Sequence, residues 1–457
     1  MKRFKWSVEN ILKNLLRIFL FVLPWQTILI TRESFLNGVK WEYGTLGFYA
    51  TEILLWLIFF VFIAWVLKHK NFNIKISNLK LSKDRIFLFF ILLFVLWSFA
   101  SILWSFDKDL ALQQSLHIME ALVLFLMIFI GPLNIRQLGY WFVLGSVPVI
   151  LLAISQFVFQ TTWDFKWLGL SEHTAWLPGA SIVASDSIGR LLRSYGSFSH
   201  PNIMGGYMAM VFLWSIILFS MRVFGNRYGY LFQYILSTLI ITGLFLNFSR
   251  AALGVSVFCI LILMLYSFYN KKGFFSSFSC AYIVLLFVSF VIVFLPILET
   301  RFSVSSQAEI VSVTERSSSI VESWEIFQDN KWIGVGIGNY TLASYQKDPT
   351  RPGWEYQPVH NIPLLIVSEI GIIGFSLLML VILSCLIFLH GSAERMKKRK
   401  DWLINNMSFV FMSVLLLFFY ITLALFDHYL FSSYIGLLMT GLYSGLSCRY
   451  ILNNVHR

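Results

Sequence analysis

Residues 247–254 read "NFSRAALG", and they interrupt a run from 231 to 269 in which Arg250 is the only charge. That run is too long for one membrane-spanning helix, which needs roughly 20 mostly apolar residues. It therefore reads as two helices joined by a tight turn at Asn247, Phe248 and Ser249, with Arg250 opening the second. A chain that reverses inside a stretch this apolar belongs in a bilayer.

Composition carries the same reading across the rest of the chain. Of 457 residues, 58% are hydrophobic and 13% charged, and the mean hydropathy of +0.74 lies above what water-soluble domains show. Twelve apolar cores stand out, at 15–31, 48–67, 86–105, 110–131, 140–160, 202–221, 231–248, 251–269, 281–298, 363–390, 406–425 and 430–447. The expected fold is an all-α polytopic membrane protein of about twelve transmembrane helices, a single membrane domain over 1–457.

Basic residues are retained on the cytoplasmic side of a membrane. Lys2, Arg3, Lys5 and Lys13 precede the first span, and Lys70, Lys75, Lys80, Lys83 and Arg85 follow the second. Arg136, Arg222, Arg227, Lys271, Lys272 and the 395–400 cluster also follow even-numbered spans. Both termini are therefore expected to be cytoplasmic. The net charge of +12 is read as this topology signal, and no nucleic-acid partner is inferred. The first span has a basic start like a signal peptide, yet Trp25, Gln26 and Thr27 occupy the place of small cleavage-site residues, so it reads as a retained anchor. The four cysteines lie within or at the ends of spans with no C-x-x-C spacing, which indicates neither a metal knuckle nor a disulfide framework.

This topology leaves two long outer loops, 161–200 and 299–360, each expected to contain short helices. Ser312 and Glu315 form an S-x-x-E capping box, which predicts a helix near 313–329. On it Arg316, Ile320, Trp324 and Phe327 share one face, which would carry Arg316 inward; pairing of Arg316 with Glu322 is the structural alternative. The spans opening at Pro201, at Arg250 and after His360 and Asn361 all run inward, so their N-termini point outward with free N–H groups that favour anions. Arg193, Arg250 and Arg316 near such ends suit a diphosphate, because the guanidinium fork matches phosphate oxygens in pairs. The structural alternative for Arg250 is a side chain snorkelling to headgroups. His360 can accept a proton near neutral pH, although a lone interfacial histidine is commonly a polar anchor. His200, Asn202, Asn361, Asp427 and His428 are supporting candidates, with helix capping the plainer role for the last pair.

Two tempting motifs are discounted. "DKD" at 107–109 has the D-x-D form of metal-dependent sugar transferases, yet it precedes a span where Asp109 suits an N-cap. "GVGIGNY" at 334–340 follows no strand, so its glycines read as turns. Glu52, Glu120 and Glu369 are candidate intramembrane acids of the kind a transporter uses, but no repeat relates them.

Taken in order, "RSYGSFSHPNIMGGYMAM", "NFSRAALG", "TERSSSIVESWEIFQDNKWIGVGIGNY" and "HNIPLLIVSEIGIIG" resemble motifs of the O-antigen ligase and Wzy-type polymerase superfamily of bacterial membrane glycosyltransferases, over about 190–375. His360, Asn361, Gly371 and Gly374 match the H-[NSQ]-x9-G-x-x-G pattern of its ligases. The resemblance implies a GT-C-like, metal-independent, cofactor-free enzyme that moves a glycan from undecaprenyl diphosphate to an acceptor hydroxyl, on lipid A core or another surface acceptor. The reaction would take place on the outer face of the bacterial inner membrane. It implies His360 as base, Arg250 and Arg316 as diphosphate-binding residues and Arg193 as a supporting cation. A polymerase extending lipid-linked repeats, a protein O-oligosaccharyltransferase and a flippase are the rival readings. The outer loop before Arg193 matches no family pattern and leaves the acceptor open.

Overall fold

A computed structural model describes residues 7–68, 82–177, 179–185, 188–220, 227–269, 278–303, 307–397 and 415–455. The helices are α1 (Val8–Val22), α2 (Ala50–Lys68), α3 (Ser82–Ala100), α4 (Lys108–Ile130), α5 (Ile135–Phe159), α6 (Pro201–Ser220), α7 (Arg227–Leu246) and α8 (Arg250–Tyr269). They continue with α9 (Phe278–Val293), α10 (Leu295–Ser303), α11 (Gln307–Asp329), α12 (Tyr340–Lys347) and α13 (Ile362–Lys397), then α14 (Leu415–Phe426), α15 (Tyr429–Ser432) and α16 (Tyr434–Val455). Among the described residues seven helices are long and apolar enough to cross a membrane, or eight if α9 and α10, bent by 73°, make one span. The chain is thus a multi-pass membrane protein of mostly helical build, and the described residues account for seven or eight of the twelve spans expected. Part of the difference is that the eleventh expected span is described only from Leu415. Many of the basic residues that set the expected orientation, Lys70, Lys75, Lys80, Lys271 and Lys272 among them, lie outside the described residues.

Three expectations need correcting. The first span, expected at 15–31, is instead α1 ending at Val22, and Ile28–Arg32 forms strand β1 paired with β4 (Leu46–Tyr49). Pro24 stops the helix because it has no N–H to give and restricts the residue before it, and the β-branched residues that follow suit a strand. The segment 161–200, expected to hold short helices, holds one 3-10 turn and two small antiparallel sheets. Thr161–Thr162 pairs with His173–Thr174, and Ile182–Ser185 pairs with Gly189–Leu192. The helix expected near 313–329 begins at Gln307, so Ser312 and Glu315 lie inside it. Its face is also rotated from the expected one: Ser323 and Ile326 are buried, while Ile320 and Trp324 are about half exposed.

The fold divides into two compact units, one of residues 1–16, 29–133 and 316–457, the other of 17–28 and 134–315. In the first, α16 packs on α4 through Gly441 and Gly445, where an added Cβ would fall 2.2 Å from the Ala121 carbonyl oxygen and 2.9 Å from Ile128. Small residues four apart let two helix backbones approach in this way. Phe87 of α3, Phe125 of α4, Phe388 of α13 and Cys448 of α16 share a core cluster. Helix α13 breaks at Ile370 and Gly371, and the 331–336 segment meets the break: Val335 and Gly336 N–H donate to Ser368 and Glu369, and Ile372 N–H donates to Lys331. Gly371 has φ +68° and its hypothetical Cβ lies 2.2 Å from the Trp332 carbonyl, so this joint requires glycine.

In the second unit α6 is the central helix, with 94% of its apolar window buried, as expected of a helix that is apolar all round. Helix α5 meets the end of α1 at Gly145, beside the Leu20 and Phe21 carbonyls, and α7 meets α5 and α6 at Gly243, beside Ile150 and Met208. The opening turn at 247–249 joins α7 to α8, with Phe248 at φ +48° and Asn247 Oδ1 accepting from Ser249 N–H at 2.9 Å.

Candidate functional site

The first unit builds its polar site from two helix junctions. Asn361 caps α13, its Oδ1 accepting from Leu364 N–H at 3.0 Å, while its Nδ2 donates to the Leu425 carbonyl at 3.1 Å. That second bond ties the turn before α13 to the end of α14, so His360 meets the Asp427–His428 turn. His360 Nδ1 lies 3.1 Å from Asp427 Oδ1. The same oxygen accepts from His428 N–H at 2.9 Å, the His360 and His428 rings are 4.9 Å apart, and His428 Nδ1 is 2.6 Å from Ser432 Oγ.

Asp427 is 5% exposed. Burial alone would raise its carboxyl, but the His360 hydrogen bond and its cationic surroundings, Arg316 among them, outweigh it and hold Asp427 well below the usual carboxylate range. An ionised carboxylate only accepts, so His360 Nδ1–H is the donor. In the neutral ring that bond fixes the tautomer and leaves Nε2 with a lone pair. Burial, helped by the His360 and Arg316 charges and opposed by Asp427, lowers His428 to about 3, so His428 is neutral beside the pair.

Arg316 acts on Asp427 and His428 through its charge. The expected alternative pairing with Glu322 is replaced by another: Glu322 accepts from Arg351 at 2.6 Å and from Ser344 Oγ at 2.7 Å. Among the described residues the half-buried Arg316 guanidinium has no hydrogen bond or ion pair.

The second unit holds the other expected cations. Arg193 is 5% exposed and donates to the Asn247 carbonyl at 2.8 Å and to Asn202 Oδ1 at 2.6 Å. His200 Nδ1 accepts from Asn202 N–H at 3.1 Å, and its Nε2 lies 3.0 Å from Ser181 Oγ, which makes it a cap for α6. Arg250 donates to the Arg301 carbonyl at 3.2 Å and pairs with Glu309 at 3.2 Å. Arg301 pairs with the other oxygen of Glu309 and donates to the Phe248 carbonyl at 3.2 Å. Sequence reasoning missed Arg301 and Glu309; eight residues and a change of helix separate them, and no periodicity joins them. An apolar cavity of about 710 Å³ lies in the same unit, lined by Phe245, Leu253, Phe287, Leu298 and Phe302 with one acid, Glu299.

The D-x-D stretch is a cap, as expected, but through Asp107 rather than Asp109. Asp107 Oδ1 accepts from the N–H groups of Asp109 and Leu110 at 3.0 and 3.1 Å, because α4 begins two residues earlier than expected, at Lys108. Both acids also pair with Arg32. Two groups bring metal-capable atoms within 4.8 Å of one another: His360, Asp427 and His428, and Glu52, His117 and Glu120. His117 was not anticipated, although the sequence "HIME" places it and Glu120 at i,i+3, on one helix face.

Residues 235–379 match the family model described as O-Antigen ligase, a stretch that contains Arg250, Arg316, His360 and Asn361. No curated protein matches the chain. The chain thus contains a stretch that matches the O-antigen ligase family, and the match supports the resemblance to the O-antigen ligase and Wzy-type polymerase superfamily read from the sequence.

Proposed function

We propose that this chain is an O-antigen ligase-type glycosyltransferase that moves a glycan from undecaprenyl diphosphate to an acceptor hydroxyl on the outer face of the bacterial inner membrane. His360 Nε2 takes the acceptor proton as the hydroxyl oxygen attacks the anomeric carbon. The bond from that carbon to the diphosphate breaks, and the lipid diphosphate leaves with the electron pair. Asp427 is the positioning residue: it holds Nδ1–H and stabilises the imidazolium that forms. Arg316 meets the growing negative charge on the leaving group, a form of help that commonly contributes more than the proton transfer itself. By motif resemblance Arg250 matches a diphosphate-binding residue of the family and Arg193 its supporting cation.

One observation carries the reading: a histidine oriented by a buried, ionised aspartate stands beside an arginine whose guanidinium makes no hydrogen bond or ion pair among the described residues. A base with a fixed tautomer and a cation awaiting an anion are what this transfer needs. The chemistry requires neither metal nor cofactor. The acceptor, whether lipid A core, another glycan or a protein, is read from the product.

The test is transfer by purified protein in detergent, with a synthetic polyprenyl diphosphate glycan and candidate acceptors. Wild type should release polyprenyl diphosphate in step with glycan transfer, and His360→Ala should bind the donor but transfer at least about 10²-fold more slowly. Full transfer by His360→Ala removes the proposed base. Activity without a sealed compartment also separates an enzyme from a flippase.

A further inference from the structure

The largest unexplained polar feature lies within the spans of the first unit. Glu52 stands in the first turn of α2, and His117 and Glu120 share a face of α4; they are 6%, 4% and 0% exposed. Their neighbours supply little compensation. Tyr49 N–H donates to Glu52 Oε2 at 3.1 Å and Trp56 Nε1–H to Glu120 Oε1 at 2.7 Å. Among the described residues no lysine or arginine pairs with either acid. Two buried atoms, His117 Nε2 and Glu120 Oε2, have no hydrogen-bond partner.

Burying one unpaired carboxylate costs several kcal/mol, and two close together cost more. Proton sharing between the acids would relieve their charge and still leave the imidazole nitrogen orphaned. A divalent cation satisfies all three groups at once. His117 Nε2 and Glu52 Oε2 are 4.0 Å apart, too far for a hydrogen bond. That spacing suits two donors on one ion, since metal–ligand bonds of about 2.0–2.2 Å span up to about 4.4 Å. The donor set favours a first-row ion: imidazole with carboxylates suits zinc or manganese, whereas calcium takes roughly six to eight oxygens.

We propose that Glu52, His117 and Glu120 bind one divalent cation of the zinc or manganese class, which braces α2 against α4. The brace reaches the start of α16 through ring contacts, because Tyr434 stacks on Tyr49 at 4.3 Å and meets the His117 ring, tilted, at 5.0 Å. Tyr434 OH also donates to Thr51 Oγ1 at 3.2 Å, and Gln114 Nε2 of α4 donates to the Phe431 carbonyl at 2.5 Å. These contacts fix the segment immediately after Asp427 and His428. The ion is therefore a support for the turn that orients His360, with no part in the transfer chemistry.

Metal content tests this without reference to activity. The full chain, purified in detergent without chelator, should carry about one zinc or manganese per molecule by elemental mass spectrometry. After stripping with EDTA, adding Zn²⁺ or Mn²⁺ should raise the unfolding temperature while Mg²⁺ and Ca²⁺ should not. Glu52→Gln, His117→Gln and Glu120→Gln should each weaken binding at least about 10-fold, and His360→Ala and Asp427→Asn should retain the ion. Should the cluster variants not fold, Co²⁺ added to stripped wild type should give the visible absorption of a nitrogen- and oxygen-ligated ion. A wild type that binds no Zn²⁺, Mn²⁺ or Co²⁺ overturns the proposal. So does undiminished binding in folded cluster variants, or loss of the ion in His360→Ala, which would place it at the other cluster.

Discussion

The two units each hold arginines that the sequence assigns to one task, and the structure gives them different surroundings. In the second unit Arg250 and Arg301 converge on the two oxygens of Glu309, a carboxylate only 1% exposed, and Arg193 is engaged by Asn247 and Asn202. In the first unit the Arg316 guanidinium makes no hydrogen bond or ion pair among the described residues, and the acid that its charge reaches, Asp427, is bonded to His360. A cation whose charge is met by protein stabilises a fold; one whose charge is left over is available to a ligand. The motif letter R does not distinguish these cases, because the distinction depends on which carboxylates the fold delivers.

This contrast is broken most decisively at His360. His360→Ala and, separately, Asp427→Asn should each lower the transfer rate by about 10²- to 10⁴-fold, with the unfolding temperature close to wild type for His360→Ala. If Asp427→Asn transfers at the wild-type rate, the orientation argument fails even though His360 could remain the base. In the second unit the large effect should appear in stability. Glu309→Ala leaves Arg301, itself 6% exposed, buried without its counter-charge, and should destabilise by about 3–5 kcal/mol in denaturant titration. A loss below 1 kcal/mol there would mean the triad is solvated and its arginines are freer than the geometry states.

Arg316→Ala sharpens the comparison from the other side. It removes a charge that makes no hydrogen bond or ion pair among the described residues and reaches Asp427 only through space, so stability should change little, whereas transfer should fall about 10²- to 10³-fold, equivalent to roughly 2.7–4 kcal/mol of transition-state stabilisation. Arg250→Ala should show the mixed pattern, losing stability through Glu309 as well as any donor affinity. Equal stability losses in Arg316→Ala and Arg250→Ala would erase the distinction between the units.

Much of this was legible before any coordinates. Apolar run length marked the spans from α2 to α7 to within a few residues, because the bilayer imposes a minimum length on every crossing. The turn at 247–249 and the helix start at Pro201 were also visible, since local chemistry decides them. What failed depends on distant partners. Pro24 was passed over within an apolar run, and the strands of 161–200 depend on cross-strand pairing that a linear hydropathy reading does not register. The rotation of α11, which exposes Ile320 and Trp324, was set by which neighbours Ser323 and Ile326 found. At the site, His360 and Arg316 could be named from motif and face. The bond to Asp427, 67 residues away, required the fold, as did the pairing of Arg301 with Glu309.

The smallest expected effect lies in pH dependence, and it separates His428 from its neighbour. Burial, aided by the charge of His360, lowers His428 to about 3, whereas an unfolded histidine titrates near 6.5. Between those values the unfolded chain binds the extra proton and the folded one does not. Stability from this residue is therefore complete above about pH 6.5 and falls with acidification, by at most about 1.4 kcal/mol per pH unit. Asp427 has the depressed-carboxylate sign, so its contribution is lost only at lower pH, below the usual carboxylate range. Unfolding temperatures measured from pH 7 to pH 5 should thus drop in wild type and drop less in His428→Gln. Parallel curves for the two proteins would mean that protonated His428 is accommodated, and that the neutral partner assigned to the His360–Asp427 pair is wrong.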